Sequence, residues 1–149
     1  MFRMLLFFAA MWGFAPTVEA RSTKNPFRVE AETLALAAGA AGRLRITIAV
    51  PKDHHIYRDM VEVVVIDAGG LELAEASYPP GLKKPDPADP ATLRQVYDMD
   101  VIIEVPVAGV VKPGVYPVTL QVTYQGCKKS LCWMPQTDEI QARVRVRVK

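Results

Sequence analysis

From Arg43 to Val50 the chain alternates strictly, with Leu44, Ile46, Ile48 and Val50 on one side and Arg43, Arg45 and Thr47 on the other. A period of two over this length predicts a strand with one buried face, because successive side chains of an extended backbone point in opposite directions. The same rhythm runs from Pro117 to Tyr124, where Val118, Leu120, Val122 and Tyr124 oppose Thr119, Gln121 and Thr123. It returns from Ile140 to Lys149, with Ile140, Ala142, Val144, Val146 and Val148 facing in and Gln141, Arg143, Arg145, Arg147 and Lys149 facing out. Phe27 to Leu36 predicts a first strand, the β-branched run Val61 to Ile66 another, Leu71 to Tyr78 a weaker one, and Val96 to Val105 a strand ended by Pro106. Gly39–Gly42, Pro51-Lys52-Asp53, Ala68-Gly69-Gly70 and Pro113-Gly114 supply turns between them. Pro79 to Pro90 holds five prolines and Gly81, which predicts a long stiffened loop kept out of any ladder. Seven or eight short strands at this spacing, with no amphipathic helix, predict an all-β fold: an immunoglobulin-like antiparallel β-sandwich.

Composition narrows the field of functions. The 149 residues suffice for one domain, and half of them are hydrophobic, enough for a true core. A net charge of +2 argues against nucleic acid or an anionic membrane as a partner. The basic row on the last strand is read as an edge or solvated face that discourages strand pairing between molecules. The first residues have a different character. Met1-Phe2-Arg3 is a short positive start, Met4 to Phe14 is an apolar run too short to span a bilayer, and Val18-Glu19-Ala20 offers small residues for cleavage. Residues 1–20 therefore read as a secretory signal peptide and 21–149 as the exported, soluble domain, with a bacterial periplasm as its compartment.

The chemistry concentrates in Tyr124-Gln-Gly-Cys-Lys-Lys-Ser-Leu-Cys-Trp-Met-Pro135, which contains both cysteines, Cys127 and Cys132. Residues flanking a four-residue hairpin loop face each other at about 4.5–5.5 Å, within reach of a disulfide. Three readings follow. A structural clip is one, although a loop this short constrains the unfolded chain by only about 2 kcal/mol. A zinc or copper site is the second, drawing on Cys127, Cys132, Met134 and one of His54 and His55. Adjacent histidines on an extended segment point opposite ways, so at most one joins the sulfurs, and both read as turn or surface residues. Thiol–disulfide exchange is the third and requires no cofactor: two cysteines close enough to pair, one of them reachable. Lys128 and Lys129 favour thiolate, Gly126 permits close approach or a positive φ, and Trp133 and Pro135 offer a flat apolar rim for a partner.

Tyr124-Gln125-Gly126-Cys127 and Cys132-Trp133-Met134-Pro135 together resemble the signature of the N-terminal periplasmic domain of the thiol:disulfide interchange protein DsbD. Lys52-Asp53, Ile56-Tyr57-Arg58 and Val96-Tyr97 extend the resemblance over most of the mature chain. It implies an immunoglobulin-like domain that takes electrons from a membrane thiol transporter. It also implies delivery to periplasmic thioredoxin-like proteins, among them disulfide isomerases and cytochrome c maturation factors. It further implies that Cys132 forms the mixed disulfides and Cys127 resolves them, that Tyr57 is an active-site tyrosine, and that Tyr124 begins the motif strand. The family's cap loop corresponds to Lys83–Leu93, which here has Asp86 and Asp89 but no aromatic, Leu93 being its one large apolar side chain. These 149 residues hold no membrane transporter and no thioredoxin-like domain, so a relay needs both from elsewhere.

Overall fold

The computed structural model describes residues 24–86 and 89–148; the expected signal peptide lies outside them. Twelve strands are present: β1 (Arg28–Ala31), β2 (Thr33–Ala37), β3 (Gly42–Ala49), β4 (His54–Tyr57), β5 (Glu62–Asp67), β6 (Leu82–Pro85), β7 (Leu93–Tyr97), β8 (Val101–Val107), β9 (Gly114–Tyr124), β10 (Gly126–Lys128), β11 (Leu131–Cys132) and β12 (Gln136–Arg147). A 3₁₀ turn, Arg58–Met60, follows β4. The strands form three sheets in the orders β1-β3-β8, β2-β12-β9-β5 and β11-β10-β4-β7-β6.

The first two sheets make the immunoglobulin-like sandwich that the alternation predicts. Leu44, Ile46 and Ile48 of β3 and Val101, Ile103, Val105 and Val107 of β8 share one buried cluster with Val118, Leu120 and Val122 of β9 and Ala142, Val144 and Val146 of β12. Burial of each Val, Leu or Ile among these contributes on the order of 1.5–3 kcal/mol of apolar transfer, and Ala142 less. Pairing is antiparallel throughout except between β2 and β12, which run parallel. That pair places β12 inside its sheet, so the row Arg143, Arg145 and Arg147 marks a solvated face and not an edge.

Several boundaries differ from the sequence expectation. The first predicted strand is two strands in different sheets, and Val96–Val105 likewise divides into β7 and β8. Leu71–Tyr78 forms only isolated bridges, Leu73 to Val107 and Ser77 to Glu104. Pro106 does not end β8. Its carbonyl accepts from the Ala74 N–H at 3.0 Å on the outer side of an edge strand, so its ring replaces an N–H that the ladder to β3 does not use. The proline-rich segment also joins a ladder: β6 pairs with β7, Leu82 opposite Val96 and Pro85 opposite Leu93. The Asp86 N–H donates across to Thr92 O at 2.8 Å, so Pro85, one residue earlier, turns its nitrogen to the free edge.

Candidate functional site

The third sheet carries the cysteines. β10 and β11 form a hairpin with Cys127 opposite Cys132 and Lys128 opposite Leu131. The turn between them is Lys129-Ser130, and Lys129 takes φ 55°, the left-handed conformation a two-residue hairpin turn requires. The two sulfurs are bonded to each other, with Cα atoms 3.9 Å apart. The Trp133 N–H donates to Gly126 O at 3.0 Å, which makes 126 and 133 a hydrogen-bonded pair and leaves 127 and 132 as the close, non-hydrogen-bonded pair next to it. That is the position in an antiparallel ladder where opposed side chains approach most nearly.

Alternation divides the sheet into two faces. Cys127 pairs with His55 on β4, Gly126 with Ile56, Ile56 with Tyr97 and Tyr57 with Val96. Opposed residues share a face, so Cys132, Cys127, His55, Tyr57 and Val96 lie on one side, and Gly126, Ile56 and Tyr97 on the other. Packing agrees: Cys127 is buried against Tyr57 and Val96, with Met60 beside them. Ile56 and Tyr97 belong to the main core. The two sulfurs are unequal, Cys127 having no exposed surface while Cys132, on the edge strand, is exposed.

Beneath the cysteines, Phe27 is the floor. Its ring meets Tyr124 edge-on at 6.0 Å, Trp133 at 5.9 Å and His54 at 5.7 Å, and His54 stacks on Trp133 at 5.6 Å. Gly126 is fixed by this floor: a Cβ there would fall 2.0 Å from Cε2 of Phe27. Of the two reasons for a glycine weighed from sequence, close approach is the one that applies. Gln125 ties the return segment down by donating from Nε2 to Trp133 O at 3.1 Å.

Tyr57, Tyr124, Gly126 and Trp133 therefore do not form one surround. Tyr57 alone lies on the cysteine face. Trp133 is half-buried on the opposite side with His54, and Tyr124 is wholly buried in the main core. Asn25 Nδ2 donates to the Tyr124 hydroxyl, which donates to Asp138 Oδ2 at 3.1 Å. Burial pushes the Tyr124 hydroxyl up to about 12. A folded value above the unfolded one means its contribution to stability is complete below about pH 10 and is lost as pH climbs through about 12. The expected loss is about 3 kcal/mol over that window. Chemical denaturation across alkaline pH should show this step, and Tyr124→Phe should lack it; matching alkaline profiles for the two proteins would contradict the assignment.

His54 and His55 are strand residues, not the turn or surface positions expected from the sequence, because β10 pairs along both of them. Their side chains do point to opposite faces. His55 sits edge-on to Tyr57 at 5.3 Å and is half-buried. Burial holds its imidazole below the usual value of 6.5, helped by the charge of Lys84 and opposed by Asp98.

Arg94, absent from the sequence-based candidates, completes this face. Its guanidinium lies 3.8 Å from the centroid of the Tyr57 ring, donates to both carboxylate oxygens of Asp59 at 2.8 and 2.7 Å, and approaches Asp86 at 3.6 Å. One side chain thus links the β6–β7 hairpin to the 3₁₀ turn and to the tyrosine over Cys127. Leu93, the apolar residue of the expected cap, is 62% exposed and Cys132 is open to solvent, so no lid seals the sulfur among the described residues.

A small β domain presenting one buried and one accessible sulfur of a disulfide on an edge hairpin has the architecture of a thiol-redox module. The family described as "Thiol:disulfide interchange protein DsbD, N-terminal" matches residues 24–143, and the chain belongs to it. Two solved structures share its fold. The N-terminal domain of Neisseria meningitidis DsbD in the reduced form is 23% identical with a TM-score of 0.51, covering 70% of this chain and 78% of that one. The complex between the DsbD N-terminal and PilB N-terminal domains of the same organism gives 21% identity and a TM-score of 0.57 over 82% of this chain and 88% of that one. No curated protein matches the chain in sequence.

Proposed function

We propose that this domain relays electrons by thiol–disulfide exchange in the periplasm, accepting them from a membrane thiol transporter and passing them to oxidised thioredoxin-like proteins. Membership of a thiol:disulfide interchange family supports this reading, and the exposed Cys132 bonded to a buried Cys127 is the observation that carries it here. In the delivering direction the reduced domain presents Cys132 as thiolate. It attacks one sulfur of the partner's disulfide, forming a mixed disulfide and releasing the partner's other sulfur as thiolate. Cys127 then attacks Cys132 Sγ, and the bond to the partner breaks. The Cys127–Cys132 disulfide forms, and the partner leaves with two more electrons as a dithiol. Recharging reverses the order: the transporter's thiolate attacks Cys132, Cys127 leaves, and the transporter's second thiol resolves the mixed disulfide.

Lys128 and Lys129 add positive charge at the hairpin turn, favouring thiolate at its rim. Export by residues 1–20 supplies the oxidising compartment in which the cycle has work to do. Among the described residues no helix is long and apolar enough to cross a membrane.

The test is a trap. Cys127→Ser should accumulate a mixed disulfide between Cys132 and an oxidised thioredoxin-like protein, because nothing resolves it, whereas Cys132→Ser should accumulate none. Equal trapping by both variants would remove the role assignment. A loss of about 2 kcal/mol in stability with no disulfide exchange by the wild-type domain would return the pair to a structural clip.

A further inference from the structure

Resolution of the mixed disulfide needs the Cys127 thiol to lose its proton in a place water does not reach. Cys127 is wholly buried against Tyr57 and Val96, and an apolar surround raises the cost of a thiolate. The lysines at the turn are exposed to solvent, and Lys128 lies on the opposite face of the sheet from Cys127. A base for Cys127 must therefore sit on the cysteine face itself.

The sheet provides one such side chain. His55 is the register partner of Cys127 on the flank opposite Cys132. The Tyr57 N–H donates to Gln125 O at 3.4 Å, so the next like pair along the ladder, 55 with 127, is also of the hydrogen-bonded kind, with Cα atoms about 5.5 Å apart. Both side chains rise from the same face, and Tyr57 touches both of them. Beyond His55 the extended register places Asp98, which carries the Lys84 ion pair at 2.6 Å. The row across the sheet reads Cys132, Cys127, His55, Asp98. His55 also opens to water, since it lines a surface cleft with Asp53, His54, Lys84, Asp98 and Lys129.

We propose that His55 is the proton acceptor for Cys127: it takes the thiol proton as Cys127 attacks the mixed disulfide on Cys132, and when the Cys127–Cys132 bond is reduced it relays a proton from water in the cleft to the departing Cys127 thiolate. This rests on the relay reading above. In the forward step the S–H bond of Cys127 breaks and its proton goes to the imidazole. The Cys127–Cys132 bond forms, the Cys132–partner bond breaks, and the electron pair leaves on the partner's sulfur, which draws a proton from water. The imidazolium then gives its proton to water through the cleft. Two thiols of the domain are oxidised and one partner disulfide is reduced.

The groups around His55 suit this role. Burial and Lys84 keep it neutral near pH 7, ready to accept, while Asp98 opposes them and favours the imidazolium once formed. His54 on the same strand and Asp86 at the end of the β6–β7 hairpin act in opposite senses, the first lowering and the second raising its affinity for a proton. Tyr57 lies against it edge-on.

Stopped-flow mixing of the reduced domain with dithionitrobenzoate separates the two steps. The first coloured thiol is released when Cys132 forms the mixed disulfide and the second when Cys127 expels the remaining group. His55→Gln is expected to leave the first phase unchanged and to slow the second by about 10–100-fold at neutral pH. The wild-type second phase should also rise through an ionisation below about 6.5 that His55→Gln lacks. Identical second phases and pH profiles in the two proteins, or no such ionisation in the wild type, overturn the role of His55 and leave the relay standing. Release of a single thiol with no internal disulfide overturns the relay reading itself.

Discussion

Alanine at Gly126 is expected to cost the domain about 3 kcal/mol of stability and to loosen the cysteine hairpin. The added methyl carbon falls within 2.0–2.7 Å of three ring carbons of Phe27, so the ring must leave its place. Phe27 cannot leave freely, because Tyr124, Trp133 and His54 pack around it edge-on. The conflict is between two named groups, so it is removable. Phe27→Ala alone should cost about 3–5 kcal/mol, and adding Gly126→Ala to it should cost little more. A double-mutant cycle by urea denaturation reads this as a coupling of about 2–3 kcal/mol. Strictly additive losses would mean that the floor does not hold the hairpin.

In the reduced domain, Cys132 should react with iodoacetamide at least about 100-fold faster than Cys127. Cys132 sits on the edge strand in contact with solvent, while Cys127 reacts only when the sheet opens or the side chains over it move aside. A local opening of about 3 kcal/mol gives that factor. Quenching at successive times and mapping the modified peptide gives both rates from one sample. Arg94→Ala should then raise the Cys127 rate selectively, because it frees Tyr57 from its guanidinium and the β6–β7 hairpin from Asp59. Comparable rates at the two cysteines in the wild type would undercut the division of labour between them.

Much of this molecule could be read from its sequence, and the parts that could not share a cause. β3, β9 and β12 show because each has one dry and one wet face, which writes a period of two into the residues themselves. The hairpin pairing of Cys127 with Cys132 was legible for the same kind of reason, being local. The third sheet was not. β4 contains His54 and His55, polar residues whose strand conformation is imposed by β10, some 70 positions away. β6 was hidden by prolines, which forbid a donor only toward a partner; Pro85 turns that side to the free edge. The same nonlocality misplaced the site. Tyr124 and Trp133 adjoin the cysteines in sequence but lie off their face, whereas His55 and Arg94 are distant in sequence and on it. One signal was available: His55 stands two residues before Tyr57, so a strand there puts both on one side.

The cysteine hairpin ends in β11, a strand of only two residues at the margin of its sheet, and among the described residues no strand lies beyond it. β10 is held to β4 by backbone pairing that does not run through the sulfurs. Breaking the bond is therefore expected to loosen the hairpin locally, between Lys129 and Cys132, while the backbone bond from Trp133 to Gly126 and the Gln125 tie still hold its base to the sheet. The domain can alternate between its two oxidation states with little reorganisation, its scaffold remaining the same on either side of each electron transfer.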